Sequence, residues 1–173
     1  MSFSMVQRLL TVLILPFFGV LIGIGIFPGY LIFNAVENWS VSAGNDGLIH
    51  SLWFCIGLGM GYIAGGLGVV LVTGVFGAIF ALRGREGRFP LKSMITIRWG
   101  IALVFHRVAL LFLSTIVPSM FSTLYYKLMG LNMGKGVIIN SSRINDAPMI
   151  TLGDGVVVGC LLYTSDAADE MRR

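Results

Sequence analysis

Three polar side chains in the C-terminal part of the sequence could contribute to a substrate site: Asn140, Asp146 and Asp154. A carboxylate or carboxamide oxygen can accept a hydrogen bond from the hydroxyl or amine of an acceptor substrate. All three residues lie at turn positions between short aliphatic segments. Asn and Asp are favoured at such positions because they hydrogen-bond the local backbone and tolerate unusual dihedral angles. The pattern therefore favours a structural role, and binding of an acceptor is the alternative.

Two histidines, His50 and His106, could in principle act as a general base. Such a base needs an imidazole within hydrogen-bond reach of the acceptor and a pKa near the working pH. His50 begins one apolar segment and His106 lies inside another, so both are predicted to pack or to anchor at an interface rather than to catalyse. Cys55 lies in an apolar run and Cys160 in the tail, so neither a disulfide nor a metal site is predicted.

A cluster of basic side chains lies between the second and third apolar segments: Arg83, Arg85, Arg88, Lys92 and Arg98. In a membrane protein such a cluster indicates the cytoplasmic side. It is predicted to contact anionic lipid headgroups, at about 1 kcal/mol per basic residue near the surface. Holding a coenzyme phosphate is the secondary interpretation. The cluster lacks the Gly-Lys-Ser/Thr ending of a phosphate loop, and no nucleic-acid partner is predicted.

The residues from Met133 to Gly159 repeat with a period of six. An aliphatic-Gly-x-Gly-Val motif occurs at residues 133–137 and again at 152–156, and further aliphatics follow six residues after the start of each copy. The two copies are 19 residues apart (133 to 152), which fits a coil of about 18 residues with one insertion near residues 146–148. The pattern resembles the hexapeptide repeat of left-handed parallel β-helices, and predicts the first coils of such a helix over residues 131–159.

The six-residue period does not continue into residues 160–173. The stretch CLLYTSDAADE resembles the translation of a sequencing-adapter sequence. We therefore interpret residues 160–173 as a non-biological tail, the alternative being an ordinary acidic tail. On that interpretation the natural protein continues in further coils past Gly159.

Composition assigns the chain to the membrane class. Hydrophobic residues make up 56% of it and charged residues 12%, with a mean hydropathy of +0.88. Residues 9–33 carry no charge and could cross a hydrocarbon core about 30 Å thick. Residues 34–46 hold acidic but no basic side chains and are predicted to form an external loop. Residues 47–82 could form one long helix or a hairpin of two.

The positions of the basic residues distinguish one long helix from a hairpin over residues 47–82. If Arg8 and the basic cluster are both cytoplasmic, an even number of crossings separates them, which favours one long helix over residues 47–82. Gly57, Gly61 and Gly65 lie on one face of that helix and predict close packing against another helix of the same chain.

The third apolar segment, residues 99–126, is interrupted by His106 and Arg107. A charged Arg at mid-membrane costs several kcal/mol unless it has a partner. We therefore favour an interfacial or re-entrant helix bent near Pro118, and a spanning helix remains the alternative. The membrane region as a whole is assigned to residues 1–130.

The chain from residue 83 to 159 resembles the membrane-bound hexapeptide-repeat acyltransferase-like module found at the C-terminus of some nonribosomal peptide synthetases, including poly-lysine synthetase, and as stand-alone proteins. The residues that carry the resemblance are Gly84-Arg85, Gly87, Phe89-Pro90-Leu91, Ser93, Arg98-Trp99, Lys127-Leu128-Met129-Gly130 and Met133-Gly134.

This resemblance implies a fold and a function. The fold is an α-helical membrane region followed by the truncated start of a left-handed parallel β-helix on the cytoplasmic side of a bacterial inner membrane. The function is transfer of an acyl or aminoacyl group, from acyl-coenzyme A or a carrier-bound donor and without a metal, to a peptide or surface-polymer acceptor. The catalytic histidine is expected beyond Gly159, so the fragment itself is expected to be inactive.

The resemblance also implies partners: the lipid bilayer with its anionic headgroups, a homotrimer or a tandem β-helix domain, and a peptide synthetase. The alternative function is a non-catalytic membrane scaffold or export partner with a degenerate β-helix. A small transporter is disfavoured, because the sequence predicts two membrane-spanning helices and no pair of charged residues near the middle of the membrane.

Overall fold

The computed structural model describes residues 3–81 and 93–159. The described chain begins with four α-helices, which are α1 (Phe3–Ser42), α2 (Gly47–Phe80), α3 (Met94–Ile116) and α4 (Met120–Leu128). Four two-residue strands follow, with a 3₁₀ helix (Ala147–Met149) before the third: β1 (Asn132–Met133), β2 (Ile138–Ile139), β3 (Thr151–Leu152) and β4 (Val157–Val158). Three helical segments are long and apolar enough to cross a membrane: Leu15–Ser42, Gly47–Phe80 and Met94–Ile116.

Helix α1 extends further than the sequence pattern predicts. It continues to Ser42, so most of the external loop predicted at residues 34–46 is helical, and that prediction was wrong. The physical reason is that residues 34–42 contain neither Gly nor Pro. The chain turns only where Gly44 and Gly47 adopt positive φ angles of 70° and 58°, which glycine does without steric cost.

Helix α2 is unbroken over 34 residues, so residues 47–80 form one helix and not a hairpin. At 1.5 Å per residue its length is about 51 Å, longer than a hydrocarbon core of about 30 Å. The prediction extended the helix to residue 82, which lies outside the described residues.

Helices α1 and α2 cross at glycines. A Cβ on Gly29 would collide with the carbonyl oxygen of Gly61 and would lie 2.8 Å from the backbone nitrogen of Gly65. On the same side of α2, Gly57 contacts Phe33 and Val36 of α1. The glycine ladder of α2 therefore packs within the chain, as predicted, and allows the two backbones to touch.

The third apolar segment forms two helices instead of the single one predicted over residues 99–126. The break falls at residues 117–119, around Pro118, which has no N–H to continue a helical hydrogen-bond pattern. Both helices begin at a serine cap: the Ser93 hydroxyl accepts a hydrogen bond from the Thr96 N–H, and Ser119 accepts one from Ser122. Because Ser93 caps α3, the helix starts at Met94, earlier than predicted.

The four strands form two parallel pairs with the same offset. Strand β1 pairs with β3, so that Met133 lies opposite Leu152, and β2 pairs with β4, so that Ile139 lies opposite Val158. Both registers equal the interval of 19 residues in the sequence pattern (133 to 152, 139 to 158). The 3₁₀ helix falls where the insertion was predicted. Strands this short do not make a β-helix, which remains a prediction, and residues 160–173 lie outside the described chain.

The strand segment, residues 131–159, shares one core with the helices. Helices α3 and α4 contribute Ala109, Leu113 and Tyr125, all with no exposed surface. Ile139 and Ala147 of the strand segment belong to the same buried cluster. The strand segment is therefore docked along α3 and α4 by apolar burial, the main stabilising term in folding.

Candidate functional site

An open groove of about 450 Å³ lies between α4 and the first strands. Its lining consists of Thr123, Lys127, Met133, Gly134, Lys135, Gly136, Val137 and Asp154. Thr123 and Lys127 are four residues apart and therefore neighbours on one face of α4. Lys135 approaches from the turn between β1 and β2. Two lysines and one carboxylate, Asp154, thus line one cavity, and the excess of positive charge suits an anionic ligand group.

The turns that carry the groove residues repeat along the chain. Gly136 and Gly155 both adopt a left-handed conformation, with φ of 71° and 70°. The N–H of Gly155 donates to the carbonyl oxygen of Lys135 at 2.8 Å, so the second turn lies directly on the first. Glycine is required at both positions because an L side chain disfavours positive φ.

Asp154 lines the groove and also joins the two turns. Its Oδ1 accepts a hydrogen bond from the backbone N–H of Lys135. One carboxylate oxygen is thus used structurally, as the interpretation of Asp154 as a turn residue predicts.

The other two predicted binding residues lie elsewhere. Asp146 Oδ1 accepts a hydrogen bond from Trp99 Nε1 at 2.9 Å, which ties the strand segment to α3. Asn140 follows β2, and its backbone N–H donates to the carbonyl oxygen of Val158 at 2.9 Å. The structure therefore does not bring Asn140, Asp146 and Asp154 together. The groove cations Lys127 and Lys135 were not recognised as site residues, because only the docking of α4 against the β1–β2 turn makes them neighbours.

His106 is buried and lies away from the groove. Its Nδ1 is 2.9 Å from the Tyr125 hydroxyl, and the two rings are stacked with centroids 5.9 Å apart. Within residues 3–81 and 93–159, its Nε2 has no hydrogen-bond partner. This placement agrees with the prediction of a packed histidine.

His50 lies in the first turn of α2, next to the end of α1. Its Nε2 is 3.3 Å from Glu37 Oε1 and its Nδ1 is 3.4 Å from the Ser40 hydroxyl. Serine, histidine and carboxylate are the side-chain types of a hydrolytic triad. Ser40 has no exposed surface, so its hydroxyl cannot reach a substrate. The three side chains instead connect the ends of the two helices.

Two tyrosines of α4 hold the strand segment. Burial raises the pKa of Tyr125 well above its usual value, and the neighbouring Tyr126 raises it further. Burial also raises the pKa of Tyr126 to about 12, although a hydrogen bond from the backbone of Ile144 opposes the shift. Both phenols are therefore protonated at neutral pH, and the Tyr126 hydroxyl donates to the carbonyl oxygen of Ser141 at 3.2 Å.

Of the basic cluster, the structure describes Arg98. Its Nη2 donates to the carbonyl oxygen of Ile79 at 3.1 Å, near the end of α2. The remaining members lie outside the described residues: Arg83, Arg85, Arg88 and Lys92. In the described part of the chain, no three His, Cys, Asp or Glu side chains are grouped so that they could hold a metal ion.

Replacing Gly134 by alanine is expected to destabilise the strand segment by about 1–3 kcal/mol, the usual cost of overpacking. A Cβ at this position would lie 2.6 Å from the Asp154 nitrogen and 2.8 Å from the Gly153 carbonyl carbon, and backbone cannot move aside cheaply. Hydrogen exchange of the Gly155 and Ile138 amides in detergent measures the loss.

The matched control is Gly153→Ala, at the same position of the second motif. A Cβ on Gly153 meets nothing within 4 Å. The free energy of opening that hydrogen exchange measures should therefore change by less than about 0.5 kcal/mol. Equal effects of the two substitutions would contradict the stacking of the two turns.

The three long apolar helices and the composition place the chain in the class of helical membrane proteins, with a segment of short parallel strands docked on two of its helices. No family model, curated protein or solved structure matches it.

Proposed function

We propose that the protein is a membrane-anchored acyltransferase that transfers an acyl or aminoacyl group to a peptide or surface-polymer acceptor. The observation that carries this proposal is the groove beside α4, where Lys127 and Lys135 border an open cavity of about 450 Å³. Acyl donors such as coenzyme A and carrier-bound phosphopantetheine carry phosphate groups, and lysine binds phosphate as a point charge. Met133 and Val137 supply apolar lining for the uncharged part of the donor.

The same proposal interprets the strand segment as the start of a left-handed parallel β-helix. Its support is the common offset of 19 residues in both parallel pairs, together with the two left-handed glycines at the same interval (136 to 155). Further coils, a homotrimer or a tandem domain would extend the groove, and a peptide synthetase would supply a carrier-bound donor.

The described lining of the groove holds no histidine that could act as the general base, and its carboxylate, Asp154, already accepts a hydrogen bond from the Lys135 N–H. His106 is buried against Tyr125, and His50 lies in the first turn of α2. In the proposed reaction the acceptor amine or hydroxyl attacks the thioester carbonyl and a base accepts its proton. The C–S bond breaks as the new amide or ester bond forms, and the base returns the proton to the leaving thiolate. The resemblance to hexapeptide-repeat transferases puts that base on a histidine beyond Gly159.

The packing of the strand segment favours an interfacial position for α3. Trp99 of this helix donates to Asp146 of the segment, and Ile139, Ile144 and Ala147 of the segment belong to the same buried cluster as Ala102, Ala109 and Leu113 of α3. If α3 crossed the bilayer, the open edges of the strands would enter the hydrocarbon layer, where unsatisfied backbone groups cost several kcal/mol each. With α3 in the interface, α1 and α2 are the two crossings. By the positive-inside rule the basic residues near Arg98 would be cytoplasmic, and we propose the same side of a bacterial inner membrane for the groove.

The alternative is a non-catalytic scaffold or export partner. The observation that favours it is the structural use of the two aspartates: Asp146 binds the Trp99 indole and Asp154 binds the Lys135 backbone. In a scaffold, these bonds would be the whole role of the polar residues.

Binding of coenzyme A distinguishes the two functions. We expect the purified chain, in an uncharged detergent, to bind coenzyme A in calorimetric titration. The double variant Lys127→Ala, Lys135→Ala should bind it at least about tenfold more weakly, because each charge-assisted contact contributes about 1.5–3 kcal/mol. Arg143→Ala is the matched control, since Arg143 is exposed on the loop after β2 and does not line the groove. Absence of binding, or an equal loss in the control, would favour the scaffold.

A further inference from the structure

An apolar cavity of about 330 Å³ lies between α1, α2 and α3, well separated in sequence from the groove residues. Among the described residues, five phenylalanines and two isoleucines form its lining. Phe18 and Phe105 are buried, whereas Phe17 and Ile79 are exposed. The cavity therefore has a closed apolar floor and an open rim.

The walls of this cavity are held by ring contacts. Phe105 lies at the centre: its ring makes an edge contact with Phe18, with centroids 5.3 Å apart, and stacks against Phe76 at 6.1 Å and Phe80 at 5.9 Å. Aromatic pairs at these distances contribute beyond simple burial. Rings from three different helices thus fix the shape of the cavity before any ligand enters.

Arg98 stands at the rim. Its guanidinium donates to the carbonyl oxygen of Ile79, a lining residue, at 3.1 Å. Ile101, another lining residue, is three positions further along α3 and hence on the same helix face. A guanidinium carries five N–H donors in a planar fork that matches a phosphate. The bond to Ile79 uses one of them.

We propose that this cavity binds one acyl chain of an anionic phospholipid, with the lipid phosphate paired to Arg98. The apolar lining formed by the described residues selects a hydrocarbon chain, and the cation at the rim selects a negatively charged headgroup. Basic pockets between membrane helices are known to bind anionic headgroups. This is a single defined site, distinct from general contact between the basic cluster and the membrane surface. It does not depend on the proposed acyltransferase function.

Native mass spectrometry of the chain in an uncharged detergent tests the proposal, with phosphatidylglycerol and phosphatidylcholine added in separate titrations. We expect one phosphatidylglycerol to be retained about tenfold more tightly than phosphatidylcholine, because both lipids carry the phosphate but the choline ammonium of phosphatidylcholine offsets its attraction to Arg98. Arg98→Gln should remove this preference. Ile101→Trp should fill the cavity and weaken binding of both lipids.

Matched controls keep the outcome interpretable. Ile24→Trp adds the same bulk on an exposed part of α1, and Arg143→Gln removes an exposed arginine outside the cavity. Ile79→Trp, at the exposed rim, serves as a second filling variant if Ile101→Trp does not fold. Equal retention of the two lipids by the unmodified chain would overturn the proposal. So would unchanged binding in a folded filling variant, or equal losses in the controls. Coenzyme A binding is measured separately, so either proposal can fail alone.

Discussion

Substitution of Gly29 by valine is expected to separate α1 from α2 and to cost more than about 3 kcal/mol of stability. Overpacking usually costs 1–3 kcal/mol because neighbouring side chains move aside. Here the new Cβ would meet backbone instead: the Gly61 carbonyl oxygen, and Gly65 nitrogen and Cα at 2.8 and 2.9 Å. Two helices whose backbones are in contact can accept the added group only by moving apart along the whole crossing.

The separation would reach beyond the crossing itself. Gly25 lies one turn before Gly29 and contacts Val69, whose Cα is 2.6 Å from where a Cβ would be. Phe18 of α1 also contacts Phe105 of α3, the ring on which Phe76 and Phe80 of α2 stack. A displaced α1 would therefore also lose its contacts with the aromatic cavity.

Thermal unfolding of the chain in detergent, followed by size-exclusion chromatography, measures the effect of Gly29→Val. The matched control is Gly23→Val, on the same helix, where a Cβ meets nothing within 4 Å. Both substitutions add the same β-branched side chain, so helix propensity cancels in the comparison. If the Gly23 variant unfolds at the same temperature as the Gly29 variant, the glycine crossing does not hold the two helices.

Substitution of Tyr125 by alanine is expected to cost about 3–5 kcal/mol, the range for removing a large buried aromatic side chain. Tyr125 has no exposed surface. Its ring lies 3.1 Å from where a Cβ of Gly74 would be, and its hydroxyl is 2.9 Å from His106 Nδ1. This one side chain thus connects α4 with α2 and α3, and its loss should loosen the docking of the strand segment.

Hydrogen exchange of residues 131–159 detects this loosening. Two further variants separate the contribution of the Tyr125 hydroxyl from that of an exposed side chain on the same helix. Tyr125→Phe keeps the ring but leaves a buried nitrogen of His106 without a partner, at about 1–3 kcal/mol. Leu124→Ala, at the adjacent and 44% exposed position, should cost less than about 1 kcal/mol. An equal loss in the Leu124 and Tyr125 alanine variants would show that α4 contributes only its helix and no specific contact.

Local patterns in the sequence predicted several elements well. Residues 47–80 form one helix, as the positions of the basic residues predicted, and that apolar segment has no proline to break it. The interval of 19 residues recurs as the offset between the parallel strands, because a repeated motif places equivalent residues side by side. The end of α1 was predicted wrongly, because the polar residues 34–42 can remain helical while Glu37 and Ser40 contact His50 of α2.

What the sequence by itself determined is the membrane class, the approximate position of the apolar helices and the register of the strands. Each of these depends on composition or on a period along the chain, which requires no knowledge of distant contacts. Only the tertiary structure decided which polar groups meet. Lys127 and Lys135 share a groove, Asp146 is held by Trp99, and Arg98 reaches the end of α2. These pairs are brought together by the packing of α3, α4 and the strand segment around Tyr125, since burial of apolar surface has no preferred direction and fixes partners only in the assembled core.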